Sequence, residues 1–245
     1  MAFDKNSNSF TFIFAIVLVV IVGALLAMNY IGLKPAYEEN VLREKMQNIL
    51  ASMNVKVSRD EAPAKYKELI TETVVVNAEG KTVEGDAFSV DVLKQYKDWK
   101  AGVLAPDKMV YPVYKAAGSE GQVFILPMVG TGLWGPVWGY VSVKNDGRTV
   151  YGSNFDHKGE TPGLGAEIST PIFQDQFPGK TITDDNGTYT GIKVYKGGTG
   201  TTDPHGVDGI SGGTITGDGV AEMLMRTLAI YDVYLKSNTN STAAR

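Results

Sequence analysis

The chain has 245 residues, 43% apolar and 20% charged, with a formal net charge of −4. That length and mix suit a globular protein with one sizeable domain plus an appendage, or two small domains. No block of Lys and Arg is present, so nucleic acid is not an expected partner. The absence of cysteine excludes disulfides, thiolate metal sites, iron–sulfur ligation and a cysteine nucleophile. Two histidines, His157 and His205, are too few for a histidine-rich metal site, and no metal site is expected.

Residues 1–9 form a short polar tail. The stretch "FTFIFAIVLVVIVGALLAM" (10–28) then runs without a charge, long enough as a helix to span roughly the 30 Å of a bilayer's hydrocarbon. Its length exceeds the apolar core of a signal peptide, and no clear small-residue cleavage site follows, so it reads as an uncleaved transmembrane anchor. Lys5 precedes it and Lys34, Arg43 and Lys45 follow. That count weakly favours a cytoplasmic C-terminal domain, but long domains translocate regardless of it.

Residues 29–55 read as a membrane-proximal helix. Pro35 suits its first turn, and Leu42, Met46, Ile49, Leu50 and Met53 recur at helical spacing. Within 56–236, "DVLKQYKDWKAGV" (91–103) is a second helix, and strands are expected at 121–129, 138–145, 149–156 and 190–198. "DDNG" (184–187) predicts a hairpin turn between "KTIT" and "TYTGIKVY". A last helix is expected from Gly219 to Lys236 with Asp218 as its N-cap, followed by a flexible tail at 237–245. The pattern is α+β: a mainly antiparallel sheet flanked by helices, behind one transmembrane helix.

Between the strands and the last helix lies "GVDGISGGTITGDGV" (206–220). Glycines at 209, 212, 213, 217 and 219 would let the backbone approach a phosphate, with N–H groups of the loop and helix start as donors. Ser211, Thr214 and Thr216 add hydroxyls. It is not a Walker A loop, since no Gly-Lys-Ser/Thr follows, and no βαβ unit surrounds it. A nucleophile-elbow reading of "GISGG" fails because "TTDPHGVD", not an apolar strand, precedes the serine. A flexible helix-entry loop without ligand stays open on composition alone.

Asp208–Thr214, "DGISGGT", resembles the flavinylation motif Asp-Gly-x-Ser/Thr-Gly-Ala/Ser-Thr of a family of covalent FMN-binding proteins. "HKGETPGLGAEI" (157–168) is similar to the family's Glu-Thr-Pro-Gly-Leu-Gly signature, "GTGLWGPVWGYVSV" (130–143) to the segment before it, and "LREKMQNIL" to its membrane-proximal helix. These stretches look more like the C subunit of sodium-translocating NADH:quinone oxidoreductases (Na⁺-NQR) than the G subunit of Rnf complexes, which shares the domain.

The resemblance implies an FMN carried covalently on Thr214 through a phosphodiester, with Asp208, Ser211, Gly212, Gly213 and Thr216 around it. Thr216 is the competing attachment hydroxyl. Gly213 departs from the motif's usual Ala or Ser and is expected to loosen the loop. Glu160, Thr161, Pro162, Gly163, Leu164, Gly165 and Trp134 would lie against the flavin. Asp208 would serve recognition by a flavin transferase. Further implications are electron relay from NADH towards ubiquinone with Na⁺ expelled, other members of the Na⁺-NQR complex as partners, and a bacterial inner-membrane location with the domain on the periplasmic side. No residue is expected to act as an acid–base catalyst, and both histidines are expected to serve hydrogen bonding. An alternative of another class is an anchored module holding a phosphorylated ligand reversibly.

Overall fold

The computed structural model describes residues 7–239, so Lys5 and most of the expected C-terminal tail lie outside the described residues. The chain divides into two compact units, one ending at Lys45 and the other beginning at Met46. Helix α1 (Asn8–Ala51) supplies the first up to Lys45, gives its last residues to the second, and runs uninterrupted through Pro35. Pro35 therefore does not open a second helix. Apolar side chains such as Phe12, Val19 and Leu26 are 71%, 69% and 66% exposed on it. The helix is long and apolar enough to cross a membrane.

In the second unit, α2 (Ala62–Leu69) leads into β1 (Ile70–Asn77) and the two-residue β2 (Thr82–Val83). Helix α3 (Val92–Lys100) follows, capped by the Asp91 carboxylate accepting from the Lys94 N–H at 2.8 Å. Strands β3 (Val110–Gly118), β4 (Gly121–Thr131), β5 (Pro136–Lys144) and β6 (Val150–His157) complete an antiparallel sheet in the order β2-β1-β3-β4-β5-β6. A short α4 (Pro171–Gln174), a parallel pair β7 (Lys193–Tyr195) with β8 (Gly206–Asp208), and α5 (Thr214–Thr239) close the unit.

The sheet is buried on both faces, which is why β4 reads as a nearly continuous apolar run. Phe124, Leu126 and Met128 meet Val220, Leu224, Leu228 and Tyr231 of α5. Val123 and Ile125 alternate to the other face and pack with Tyr114, Tyr140, Ile49 and Met53.

Two central strands each hold a proline, Pro112 and Pro127. Proline donates no ladder hydrogen bond, and β3 and β4 pair only from Tyr114↔Ile125 to Gly118↔Gly121. Beyond that point helix α5 captures the carbonyls. The Tyr231 hydroxyl reaches Pro112 O and Pro127 O, both at 2.9 Å, and Arg226 Nη2 donates to Val129 O at 2.7 Å. Gln95 of α3 bonds both backbone groups of Val110, at 3.1 and 2.9 Å. Helix α5 is thus fastened along the open seam of the sheet.

Four further expectations change. The strand expected at 190–198 shrinks to β7, and the hairpin around 184–187 to one bridge, Thr183↔Tyr189. Helix α5 begins at Thr214, so Asp218 is no N-cap but an exposed helical residue, 3.4 Å from Lys196 Nζ. It also extends through Thr239, three residues into the expected tail.

Candidate functional site

The glycine-rich stretch at 206–220 is half loop and half helix. Ile210–Gly213 form a turn closed by the Gly213 N–H donating to Ile210 O at 3.0 Å. Gly212 occupies its third position at φ +74°, a conformation that favours glycine, and a Cβ there would sit 2.6 Å from Leu164 Cδ2. The first bond of α5 runs from the Gly217 N–H to Gly213 O at 2.8 Å. The N–H groups of Thr214, Ile215 and Thr216 precede it and form the positive end of the helix. Gly213 is buried and bonded through both its N–H and its carbonyl, so the loop is pinned there.

Thr214 is exposed on the rim of an open cleft of about 420 Å³. Residues 194–198 and 208–214, with Gly217 and Asp218, line it. Lys196 is the cation on that lining. Tyr195 donates to Asp203 Oδ2 at 2.6 Å, which holds the Asp203 carboxyl below the usual carboxylate range and raises the Tyr195 hydroxyl above its own. Asp208 faces inward to the framework. Its Oδ1 accepts from the Gly200 N–H at 2.6 Å, and its N–H donates to Gln176 Oε1 at 2.7 Å.

The "ETPGLG" segment approaches the loop from the other side. Thr161, Pro162 and Gly163 are exposed, and the Gly163 N–H donates to Glu167 Oε1 at 2.9 Å. Leu164 covers Gly212, and the buried Gly165 lies beside Thr216 and Gly213. Glu160 is only 5% exposed. Its Oε1 accepts from the Trp134 N–H at 2.8 Å and its Oε2 from the Thr216 hydroxyl at 2.5 Å. The Trp134 side chain itself is 67% exposed, and Leu133, Leu164 and Ile215 are exposed as well. Ser211 and Gly212 are exposed at the turn, while Thr216 is buried.

Glu160 and Leu164 thus join the Trp134 turn and the "ETPGLG" segment to the glycine-rich stretch, although neither Trp134 nor residues 160–165 line the cleft itself. The structure adds residues that sequence reasoning missed, Lys196, Tyr195 and Gln176, which reach the site only through the parallel β7–β8 pair and α4. His157 Nδ1 accepts from the Glu160 N–H at 3.1 Å, and His205 Nδ1 lies 2.7 Å from Thr181 O. Both histidines are committed to the framework. No cluster of His, Asp or Glu that could hold a metal exists among the described residues.

Comparison with known proteins identifies the family. Residues 132–229 match the model of the FMN-binding domain. Over 239 residues the chain is 33% identical to the C subunit of the Na(+)-translocating NADH-quinone reductase of Yersinia pestis, covering 90% of each. The equivalent protein of Vibrio anguillarum is 35% identical over 235 residues, again with 90% of each chain covered. The chain belongs to this NqrC family. The crystal structure of the family member from Parabacteroides distasonis agrees, with a TM-score of 0.74 and 45% identity over 83% of this chain and 96% of that one. The Shewanella oneidensis NqrC structure gives 0.64 at 25% identity, covering 83% and 98%. In this member of the NqrC family the FMN-binding domain begins at the turn before β5 and ends within α5, so it contains both halves of the site.

Proposed function

We propose that this chain is the membrane-anchored, FMN-carrying subunit of a Na⁺-translocating NADH:quinone reductase, with FMN joined to the Thr214 hydroxyl through a phosphodiester. The observation that carries the assignment is the contrast between two neighbouring hydroxyls. Thr214 opens α5 on the cleft rim, whereas Thr216 is buried and donates to Glu160. The NqrC relatives favour this reading over an Rnf G subunit or a module with a reversible ligand.

The residues present fit the group. The cleft volume lies within the roughly 300–1,000 Å³ of small-molecule sites. The phosphodiester keeps one negative charge, which the α5 N-terminus stabilises by roughly 0.3–1 kcal/mol at an exposed site. Lys196, freed from Asp218, supplies a second counter-charge. Leu164 and the Trp134 ring offer apolar surface to the flat ring. An attached flavin would supply the electron-transfer chemistry that the side chains themselves lack. The polypeptide positions it and supplies no acid or base. NADH, quinone and Na⁺ fall to partner subunits, and a flavin transferase installs the cofactor. Asp208 belongs to the framework that this transferase must recognise.

The domain is assigned to the periplasmic side of the inner membrane. The chain has no native cysteine, so Val103→Cys, at a position 77% exposed, would react with an impermeant maleimide in intact spheroplasts; protection until lysis would reverse the orientation. Attachment is tested by making the chain with its flavin transferase and measuring intact mass, ultraviolet fluorescence on a denaturing gel, and the modified peptide. Wild type gains one FMN on Thr214 and Thr214→Val gains none. An unmodified wild type, or flavin elsewhere, sinks the assignment.

A further inference from the structure

The geometry points to Glu160 as a positioning residue for flavin attachment, one that acts through Thr216 and does not itself touch the flavin. This rests on Thr214 as the attachment point. The Glu160 carboxylate is buried and has no ion-pair partner among the described residues. A charge in such a place is tolerated only if its oxygens are hydrogen-bonded. Both are: Oε1 takes the Trp134 N–H from the β4–β5 turn, and Oε2 takes the Thr216 hydroxyl from α5. The Glu160 N–H in turn donates to His157 Nδ1 at the end of β6. One residue therefore bolts three separate chain segments together at the end of the domain that carries Thr214.

The slot around the carboxylate is shaped to it. A Cβ on Gly132 would come 2.7 Å from Oε1, and one on Gly165 would come 2.6 Å from Oε2. Each oxygen is already taken by a donor of the chain and lies close against a glycine, which gives Glu160 a role one step removed from the flavin contacts with which the sequence groups it. That role follows from helix geometry. Residues two apart on a helix point about 200° apart. Holding the Thr216 side chain inward therefore turns the Thr214 side chain outward to the cleft. The same bond removes Thr216 from competition as an acceptor.

The test is the rate and site of flavin loading in the full-length chain made with its transferase, read by intact mass and peptide mapping at rising transferase concentration. Glu160→Ala is expected to lower the saturated loading rate about tenfold, the worth of roughly one hydrogen bond, with an unchanged half-saturating transferase concentration. Thr216→Val should give the same defect, and the double variant should be no slower than either single one, because the two act as a unit. Thr216→Ser and Glu160→Gln should load like wild type. Glutamine keeps an acceptor for the Trp134 N–H and presents an amide N–H to the Thr216 oxygen.

Additive losses, or a Glu160→Ala chain that loads at the wild-type rate, would overturn the proposal. So would a Glu160→Gln chain as slow as Glu160→Ala. If the alanine variant does not fold, the glutamine and Thr216→Ser variants decide: wild-type loading in both supports the proposal, and a tenfold loss in either overturns it. Wild type run alongside separates the two readings. A bare wild type fails the attachment assignment, whereas a loaded wild type beside an equally loaded Glu160→Ala fails this inference alone.

Discussion

Two glycines of α5, two residues apart, should respond to alanine with opposite signs. Gly219 packs directly on β4. A Cβ there would fall inside the contact radius of Thr131 O and 2.9 Å from its carbonyl carbon. The facing Gly130 is close too, since its Cβ would lie 3.0 Å from Gly219 O. The obstacle is backbone on both sides, so the helix must move bodily. Overpacking of this kind costs roughly 1–3 kcal/mol, and a rigid backbone contact belongs at the upper end. Against it stands a gain of about 1 kcal/mol in helix propensity. The net loss for Gly219→Ala is about 2 kcal/mol, or a fall of about 4–8 °C in Tm for a domain of this size. At Gly217 the nearest atom to a new Cβ is Val194 Cγ1 at 3.9 Å, an ordinary contact. Only the propensity gain remains, so Gly217→Ala should raise Tm by about 2–4 °C. Thermal unfolding of the flavin-free, detergent-solubilised chain measures both. A Gly219→Ala chain that melts above wild type would refute the close-approach argument.

Tyr231→Phe leaves Pro112 O and Pro127 O without their donor, a loss of about 2 kcal/mol that calorimetry should show as a fall of about 4–8 °C; an unchanged Tm would mean the seam is held otherwise. Gly213→Ala restores the residue type usual in the flavinylation motif. Its φ is not positive, and its Cβ would lie 3.1 Å from Ile210 Cβ, which must yield by a few tenths of an ångström. Flavin loading of this variant should match wild type, and a loss of loading would show that Ile210 cannot yield. Acid should loosen the β7–β8 lobe. The Tyr195 hydroxyl and the His205 N–H hold the Asp203 carboxyl low, so the stability they contribute is present above the ordinary aspartate range and is lost as pH falls through the lowered folded value. Amide exchange in 193–208 should then accelerate, and Tyr195→Phe should weaken that pH dependence; equal acid responses in both chains would contradict it.

The parts of the fold visible in the sequence are those whose causes are local. The charge-free stretch of α1, the helical spacing of α3 and the strand-like runs of β4, β5 and β6 each declare themselves within one short stretch of sequence. Strand β3 does not. Its Pro112 argues against a central strand by the usual reasoning, and only the opposing Pro127 and the distant Tyr231 hydroxyl make it tolerable. Strands β7 and β8 are three residues each and pair across ten intervening residues, so neither carries a pattern long enough to recognise. Pro35 shows the reverse error: a local helix-start signal overruled by good helix formers on both sides.

The start of α5 shows why composition misled most at the site itself. "TITGD" (214–218) reads as loop because its glycine and aspartate lower helix propensity, yet α5 already begins at Thr214. Gly219, inside the helix on either reading, is where α5 docks, because β4 leaves no room for a side chain there. The same reasoning separates the two threonines. The motif resemblance nominates Thr214 and keeps Thr216 as its competitor, but the residues of the loop give no physical ground for the choice. The distinction lies 56 residues upstream, in the carboxylate that holds Thr216. A helix docked through glycine on one strand and bolted through Glu160 to the next turn has a single rotational setting, and that setting leaves one hydroxyl facing the cleft.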